Sequence, residues 1–515
     1  MDEKHLENTK RVAKNTLFLY GRMLIGMVVA LYTSRIILNA LGVEDFGISN
    51  VVGGFVAMFS LISSALTSSI SRFLTFEIGR NNFVKLKEVF STSLLIQLSI
   101  SGLILVVAET IGVWFVNNEM VIPSDRLYAA NCVFQASVLA FILGLLSTPY
   151  NAAIVAHEKM NIFAYFGILQ IFLNLAIVLF VAYIPFGYDK LIVYAILQVS
   201  VGILMQLLYF TYCVRHFAES RVRPMFNKLC WKEMSGFAGW NAIGCTAGIL
   251  KDQGVNILLN IFFGPVVNAA RGISMSVSNA VGQFTNNFMT ALNPQITKSY
   301  ASGDHSYMFS LVERGSRFGF YITLMLSLPI ILEAPYILKL WLKQYPDNTV
   351  IFVRLIMLYS LIEVLSNTLI TLQVSTGKIR NYQIAVGGLL LMNFPISWIA
   401  LRLGAAPYSV YVIAICIGIG CLLLRLWFLR SMVGLSMRHF LKDVVGNVGI
   451  TALCASILPI VLYFLIPPGL FRLVIIVASS LVCATAAILY VGCSQTERSF
   501  ILSKVFRSKQ SMPAA

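Results

Sequence analysis

Apolar runs long enough to cross a lipid bilayer follow one another along this chain, separated by short polar segments. A crossing helix needs about 20 predominantly apolar residues. On that basis the pattern predicts fourteen spans, at 16–40, 47–69, 89–113, 128–153, 162–184, 191–213, 235–262, 266–291, 316–340, 350–373, 382–403, 408–429, 444–466 and 470–493. The predicted fold class is all-α, a polytopic membrane protein. The pattern also repeats: Ile37-Leu38-Asn39 and Gly47-Ile48-Ser49 around the first two spans are echoed by Leu258-Leu259-Asn260 and Gly272-Ile273-Ser274 around spans seven and eight. An offset of six spans gives both halves the same orientation. The expected organisation is a first six-helix lobe (1–214), a basic linker (215–234), a second six-helix lobe (235–430), and two extra helices with a basic tail (431–515).

Composition agrees with a lipid environment. Of the 515 residues 58% are hydrophobic and only 12% charged, against about 25% charged in soluble proteins. Mean hydropathy is +0.81. The surplus of 38 Lys and Arg over 22 Asp and Glu is consistent with nucleic acid until its distribution is considered. With the N-terminus in the cytoplasm, alternate loops hold 26 of these basic residues, whereas the opposite loops hold seven: Arg126, Lys190, Lys339, Lys343, Arg354, Arg402 and Arg472. That bias is the signature of membrane topology, with both termini inside, and it argues against a nucleic-acid partner. The nine cysteines form no CxxC pair and have no histidine at metal spacing, so neither a disulfide framework nor a zinc site is expected. The first apolar run lacks a small-residue cleavage site and reads as a retained span.

The remaining basic residues, Arg22, Arg35, Lys251, Arg271 and Arg425, fall inside predicted spans. A cation at the bilayer centre costs about 2.5–3.5 kcal/mol on insertion scales, so it faces a cavity, pairs, or snorkels to an edge. The eighth span is the least lipid-like: Asn268, Arg271, Ser278, Asn279, Gly282 and Asn286 share a sector of roughly 100° at helical spacing. Such a stripe lines a cavity or bonds neighbouring helices. In the seventh span Lys251 and Asp252 are adjacent, with Gly244 and Gly248 on the Lys251 face. Lys251 suits an anionic head group. Asp252 is either a titratable coupling site or the structural partner of Lys251 or Arg271; side chains at i and i+1 point about 100° apart and do not face each other well. Arg22 and Arg35 are thirteen residues apart on the first span and cannot share one site; both are able to snorkel. Arg425 reads as a snorkelling residue at a span end. Glu109, Glu333 and Glu363, at or within span ends, read as buried hydrogen-bonded groups rather than proton carriers.

Enzyme motifs are absent: there is no Walker A sequence, GxSxG, HExxH or dinucleotide fingerprint. No catalytic residue, metal or cofactor is therefore expected. A transporter without a nucleotide site draws on an ion gradient, the membrane potential or the substrate's own gradient.

The run Thr33-Ser34-Arg35-Ile36-Ile37-Leu38-Asn39-Ala40-Leu41-Gly42-Val43-Glu44-Asp45-Phe46-Gly47, with Ser71-Arg72-Phe73-Leu74 and Glu77-Ile78-Gly79 after the second span, resembles the opening of bacterial polysaccharide flippases. These are the Wzx-type O-antigen flippases of the multidrug/oligosaccharidyl-lipid/polysaccharide exporter superfamily. The resemblance implies two six-helix lobes around a central cavity. It also implies flipping of an undecaprenyl-pyrophosphate-linked oligosaccharide across the bacterial inner membrane, beside a polysaccharide polymerase. It supplies no fixed catalytic set. The residues fit such a substrate independently: Arg22, Arg35, Lys251 and Arg271 for phosphates, and Asn268, Ser278, Asn279 and Asn286 for sugar hydroxyls, with Asp252 the candidate for H+ or Na+ coupling. Two alternatives share much of this logic. A lipid II flippase has the same anion chemistry and the same two extra helices. A multidrug antiporter of the related branch shares the twelve-helix core, but its cationic substrates call for acidic walls.

Overall fold

The computed structural model describes residues 3–57, 59–118, 122–184, 187–221 and 226–499, without the side chains of residues 3–10, Arg35, Leu38, Asn39, Glu44, Ile249, Pro265 and some others before Leu66. Every regular element among them is helical. In order they are α1 (Glu3–Ala57), α2 (Ser60–Gly79), α3 (Phe83–Val107), α4 (Val113–Asn118), α5 (Leu127–Ala156), α6 (Met160–Tyr183), α7 (Lys190–His216), α8 (Lys228–Phe263), α9 (Pro265–Ala301), α10 (His305–Leu342), α11 (Thr349–Val364), α12 (Asn367–Thr376), α13 (Arg380–Leu391), α14 (Asn393–Arg402), α15 (Ser409–Val433), α16 (Met437–Phe440), α17 (Asn447–Leu465) and α18 (Leu470–Ala487). Among the described residues, eleven helical stretches are long and apolar enough to cross a membrane. The chain is a multi-pass membrane protein.

Helix ends and breaks follow local chemistry. At Gly42 the first two predicted spans meet within α1, with φ 82° and ψ 170°, a region that is essentially closed to residues with a Cβ. The equivalent junction between α8 and α9 also uses a positive-φ glycine, Gly264. Helices α2 and α9 run well past their apolar stretches, to Gly79 and Ala301. They are expected to end earlier on hydropathy alone. Gly79 explains the extension: a Cβ there would lie 2.9 Å from the Lys298 backbone, so the two helices touch main chain to main chain. Two predicted spans lose helical hydrogen bonds midway while the backbone stays right-handed helical. One does so at Leu365–Ser366 between α11 and α12, the other at Met392 between α13 and α14. Pro395 has no N–H to offer the Leu391 carbonyl, which accounts for the second break.

The chain forms two compact units: Met1–Thr246 with Thr290–His305, and Ala247–Met289 with Ser306–Ala515. The first has a core of Ile48, Val52, Val116, Ala130, Phe134 and Leu191. Beside that core, Arg126, the residue before α5, bonds two carboxylates at once. One is Asp45, just past the Gly42 kink and reached by Nε at 2.8 Å; the other is Asp189, the N-cap of α7. A loop charge that reads as a topology marker is therefore a three-helix clasp. The clasp has an acid limit. Partial burial would raise the Asp189 carboxyl, but Arg126 and the Ile192 and Leu191 amides outweigh it and hold it below the ordinary carboxylate range. A depressed carboxylate contributes stability above its unfolded pKa and loses it as pH falls through the lower, folded value. The melting temperature of the purified protein should therefore begin to fall below about pH 4. Asp189→Asn, which keeps the cap, should flatten that drop; an unchanged acid profile would remove the clasp from the account.

In the second unit the last span is fastened to α10 near both of its ends. Glu333, fully buried at a kink between Pro329 and Pro335, accepts from Arg472 Nη2 at 3.2 Å. Arg472 Nε approaches the other oxygen to 2.6 Å, off the hydrogen-bond axis. Arg472, which reads from sequence as a loop charge, is instead 9% exposed and stacks on Tyr463. Nearer the start of α10, Arg317 reaches Glu497 (2.9 Å) and the Gly492 carbonyl (3.0 Å).

Candidate functional site

Within the second unit, α8, α9, α11, α14 and α15 enclose a cavity of about 170 Å³. Four sequence-predicted residues line it together: Lys251, Asp252, Ser278 and Asn279, with Arg271 as a fifth. The spacing explains why. Residues 271, 278 and 279 lie on one face of α9, and the Gly264 turn brings the start of α9 against the end of α8.

Lys251 is buried and donates to the Tyr359 hydroxyl at 2.9 Å, with its ammonium 4.9 Å from that ring's centroid. It also lies 3.4 Å from Asp252 Oδ1. Adjacent side chains do meet here, contrary to the expectation from helical geometry, because the lysine stem is long enough to bend back. Arg271 is buried too. Its Nη2 donates to the Asp252 carbonyl at 3.0 Å, while Asp252 Oδ1 stands off at 3.9 Å. Among the described residues, no carboxylate oxygen sits within hydrogen-bond distance of Arg271. Tyr411 supports the guanidinium from below, 5.6 Å from ring centroid to Cζ, and is itself held by Ser274 at 2.8 Å. Ser278 pairs with Ser360 at 3.1 Å.

Sequence reasoning missed the opposite wall. Tyr359 and Glu363, one turn apart on α11, are joined by a 3.3 Å hydrogen bond. Asn393, at the start of α14, is fully enclosed and accepts from Ser397 at 3.0 Å. Glu363 was visible as an acid inside a span; nothing in the sequence shows that it shares a cavity with Lys251. Its presence changes the electrostatics: two cations and two carboxylates line one cavity, so the walls are mixed in sign rather than purely basic.

The other candidates go elsewhere. Arg22 is half-buried in the first unit, 4.6 Å over the Phe163 ring, with its stem in space that a side chain at Gly167 would occupy. The Arg35 side chain lies outside the described residues. Asn268 and Asn286 are on α9 but do not line the cavity; Asn268 Oδ1 is buried without a partner among the described residues, and Asn286 is exposed. Arg425, expected to snorkel, is buried. It donates to Tyr382 (3.2 Å) and Ser366 (3.1 Å) at the α11–α12 break, where the last carbonyls of α11 favour a cation.

The fold is similar to that of solved membrane transporter structures. Solved structures similar to this chain include a multidrug and toxic compound extrusion (MATE) protein in its bent conformation, with TM-score 0.70 and 13% identity, covering 88% of this chain and 100% of that one. An outward-facing multidrug-resistance MATE transporter aligns with TM-score 0.67 at 12% identity, over 82% and 96% of the two chains. A superfamily member from Pyrococcus furiosus, described by the reversed polarity of its binding pocket, gives the same TM-score, identity and coverages. No family model and no curated protein matches the sequence.

Proposed function

We propose that this protein flips an undecaprenyl-pyrophosphate-linked oligosaccharide, an O-antigen, capsule or exopolysaccharide repeat unit, from the inner to the outer leaflet of the bacterial cytoplasmic membrane. The observation that carries this reading is Arg271. It is a guanidinium buried inside a membrane protein and facing a cavity, and its nearest carboxylate oxygen among the described residues, Asp252 Oδ1, stands at 3.9 Å rather than in direct hydrogen-bond contact. A buried guanidinium without a direct carboxylate hydrogen bond keeps donors available for a ligand, and a phosphate meets its fork with two oxygens in parallel. Lys251 supplies a second positive wall, and Ser278 and Asn279 suit hydroxyls. At about 170 Å³ the cavity takes a phosphate-sized group and leaves the rest of the head group outside.

Asp252 and Glu363 favour a second component in the same cavity, an H+ or Na+ ion coupled to transport. They also keep open the reading as an ion-coupled exporter of small molecules. Vesicles carrying a short lipid-linked oligosaccharide, with membrane potential and pH or Na+ gradient imposed separately, distinguish the cases. Moving net negative charge outward is favoured by an inside-negative potential, by about 2.3 kcal/mol per charge per 100 mV, so flipping should accelerate with potential. Asp252→Asn should remove any response to the ion gradient while leaving the response to potential. Flipping that ignores both gradients in wild type and variant alike would make the protein a passive scramblase; absence of flipping under every gradient would overturn the proposal.

A further inference from the structure

A second cavity, open on one side, lies in the first unit and is bordered by α1 beyond the Gly42 kink, α5 and α7. Its volume, about 370 Å³, falls within the roughly 300–1,000 Å³ of small-molecule sites. The three helices around it are the three joined by the Arg126–Asp45–Asp189 clasp. Ser49 and Gly53 lie one and two turns past Asp45. Tyr194 and Gln198 lie within three turns of Asp189, and Ser137 and Phe141 three to four turns past Arg126. The clasp fixes one end of the helices and the cavity opens further along them.

Among the described residues, none that lines this cavity carries a formal charge. A charged ligand would lose its hydration there with nothing to replace it, which excludes the phosphates that suit the cavity in the second unit. The polar groups present are neutral and of both hydrogen-bonding senses. Gln198 Nε2 donates to the Tyr194 hydroxyl at 3.1 Å. That bond orients the amide so that its carbonyl oxygen is left as an acceptor, and it leaves the phenolic proton to donate. The hydroxyls of Ser49 and Ser137 have no partner among the described residues. Phe141, packed on Phe59 with ring centroids 6.1 Å apart, adds an apolar wall. Scattered donors and acceptors against aromatic and aliphatic surface match a sugar ring, which presents hydroxyls around its rim and C–H groups on its face.

We propose that this cavity is a binding site for an uncharged pyranose ring. The choice of a sugar over another neutral polar molecule rests on the flippase reading above; the neutrality of the ligand and the site itself do not. Gly53 offers a way to close the cavity without disturbing the fold, because a Cβ there meets nothing within 4 Å.

The test uses full-length protein in nanodiscs free of glycolipid, titrated by saturation-transfer NMR. The probes are N-acetylglucosamine, methyl glucoside and methyl rhamnoside, with glucuronate as the anionic control and 1-aminoanthracene as the apolar one. At least one neutral sugar should bind in the millimolar range. Gly53→Leu should weaken it about tenfold or more and Gln198→Leu by a similar factor, whereas Gly53→Ala should change it less than about twofold. Glucuronate should bind more weakly than the neutral sugars. No saturable sugar binding up to roughly 100 mM, binding of aminoanthracene in place of sugar, or sugar binding indifferent to Gly53→Leu would each overturn the proposal. Those results would leave the flippase reading standing, since it depends on Arg271. Loss of flipping activity with Gly53-sensitive sugar binding intact would do the reverse.

Discussion

Arg271→Ala should reduce surface glycan by about a hundredfold or more while the protein remains in the membrane at near-normal abundance. Hydrogen bonds to a charged ligand are about twice as strong as neutral ones, and inside a bilayer there is little water to replace them. The difficulty is that Arg271 also belongs to a four-charge cluster, so its loss leaves the cavity with an excess negative charge beside Lys251. A second variant resolves this. Arg271→Ala combined with Asp252→Asn restores the balance of charge but not the guanidinium, and it should remain inactive. Recovery of glycan display in that double variant would show that Arg271 serves only as a counterion. Arg271→Lys should keep part of the activity, because charge survives but the two-pronged fork does not. Lys251→Ala should be nearly as damaging, with Lys251→Arg partly active. Equal loss of folded protein across all of these variants would mark both cations as structural.

The largest effect on stability should come from Arg472. Removing one partner of a buried ion pair costs about 3–5 kcal/mol, because the other charge is left uncompensated. Arg472→Ala should thus lower the aggregation temperature of the purified protein sharply and reduce its yield. Replacing both partners by apolar residues of similar size, Glu333→Leu with Arg472→Met, should restore stability or raise it. If the double replacement is as unstable as the single one, the pair contributes more than local charge balance, and the kink at Glu333 depends on it.

Much of this fold is legible in the sequence because lipid enforces one rule, an apolar run for every crossing. Spans appear wherever that rule acts alone. They blur where helices outrun the bilayer, as α2 and α9 do, since hydropathy has no voice in the part that packs on other protein. The charged cavity is half legible for the same kind of reason. Lys251, Asp252, Arg271, Ser278 and Asn279 lie within 29 residues on two consecutive helices, so helical periodicity aligns them. Tyr359, Glu363, Asn393 and Tyr411 come from helices at least 80 residues further on, and no local pattern announces their arrival. Loop counting likewise recognises a basic residue but not its partner, which is why Arg126 and Arg472 each turned out to be held by specific groups.

The separation of Glu333 from Arg472, 139 residues along the chain, sets an order on how the molecule is made. Synthesis runs from the N-terminus, so α10 enters the membrane with its acid while the arginine that will answer it has yet to be translated. For that interval Glu333 must remain in reach of water or of another donor, and the helix around it is only provisionally inserted. Arrival of α18 converts a tolerated acid into a paired one and locks the earlier helix in place. A chain that stops short of residue 470 never passes that step, and the unanswered acid in α10 distinguishes it from a finished protein.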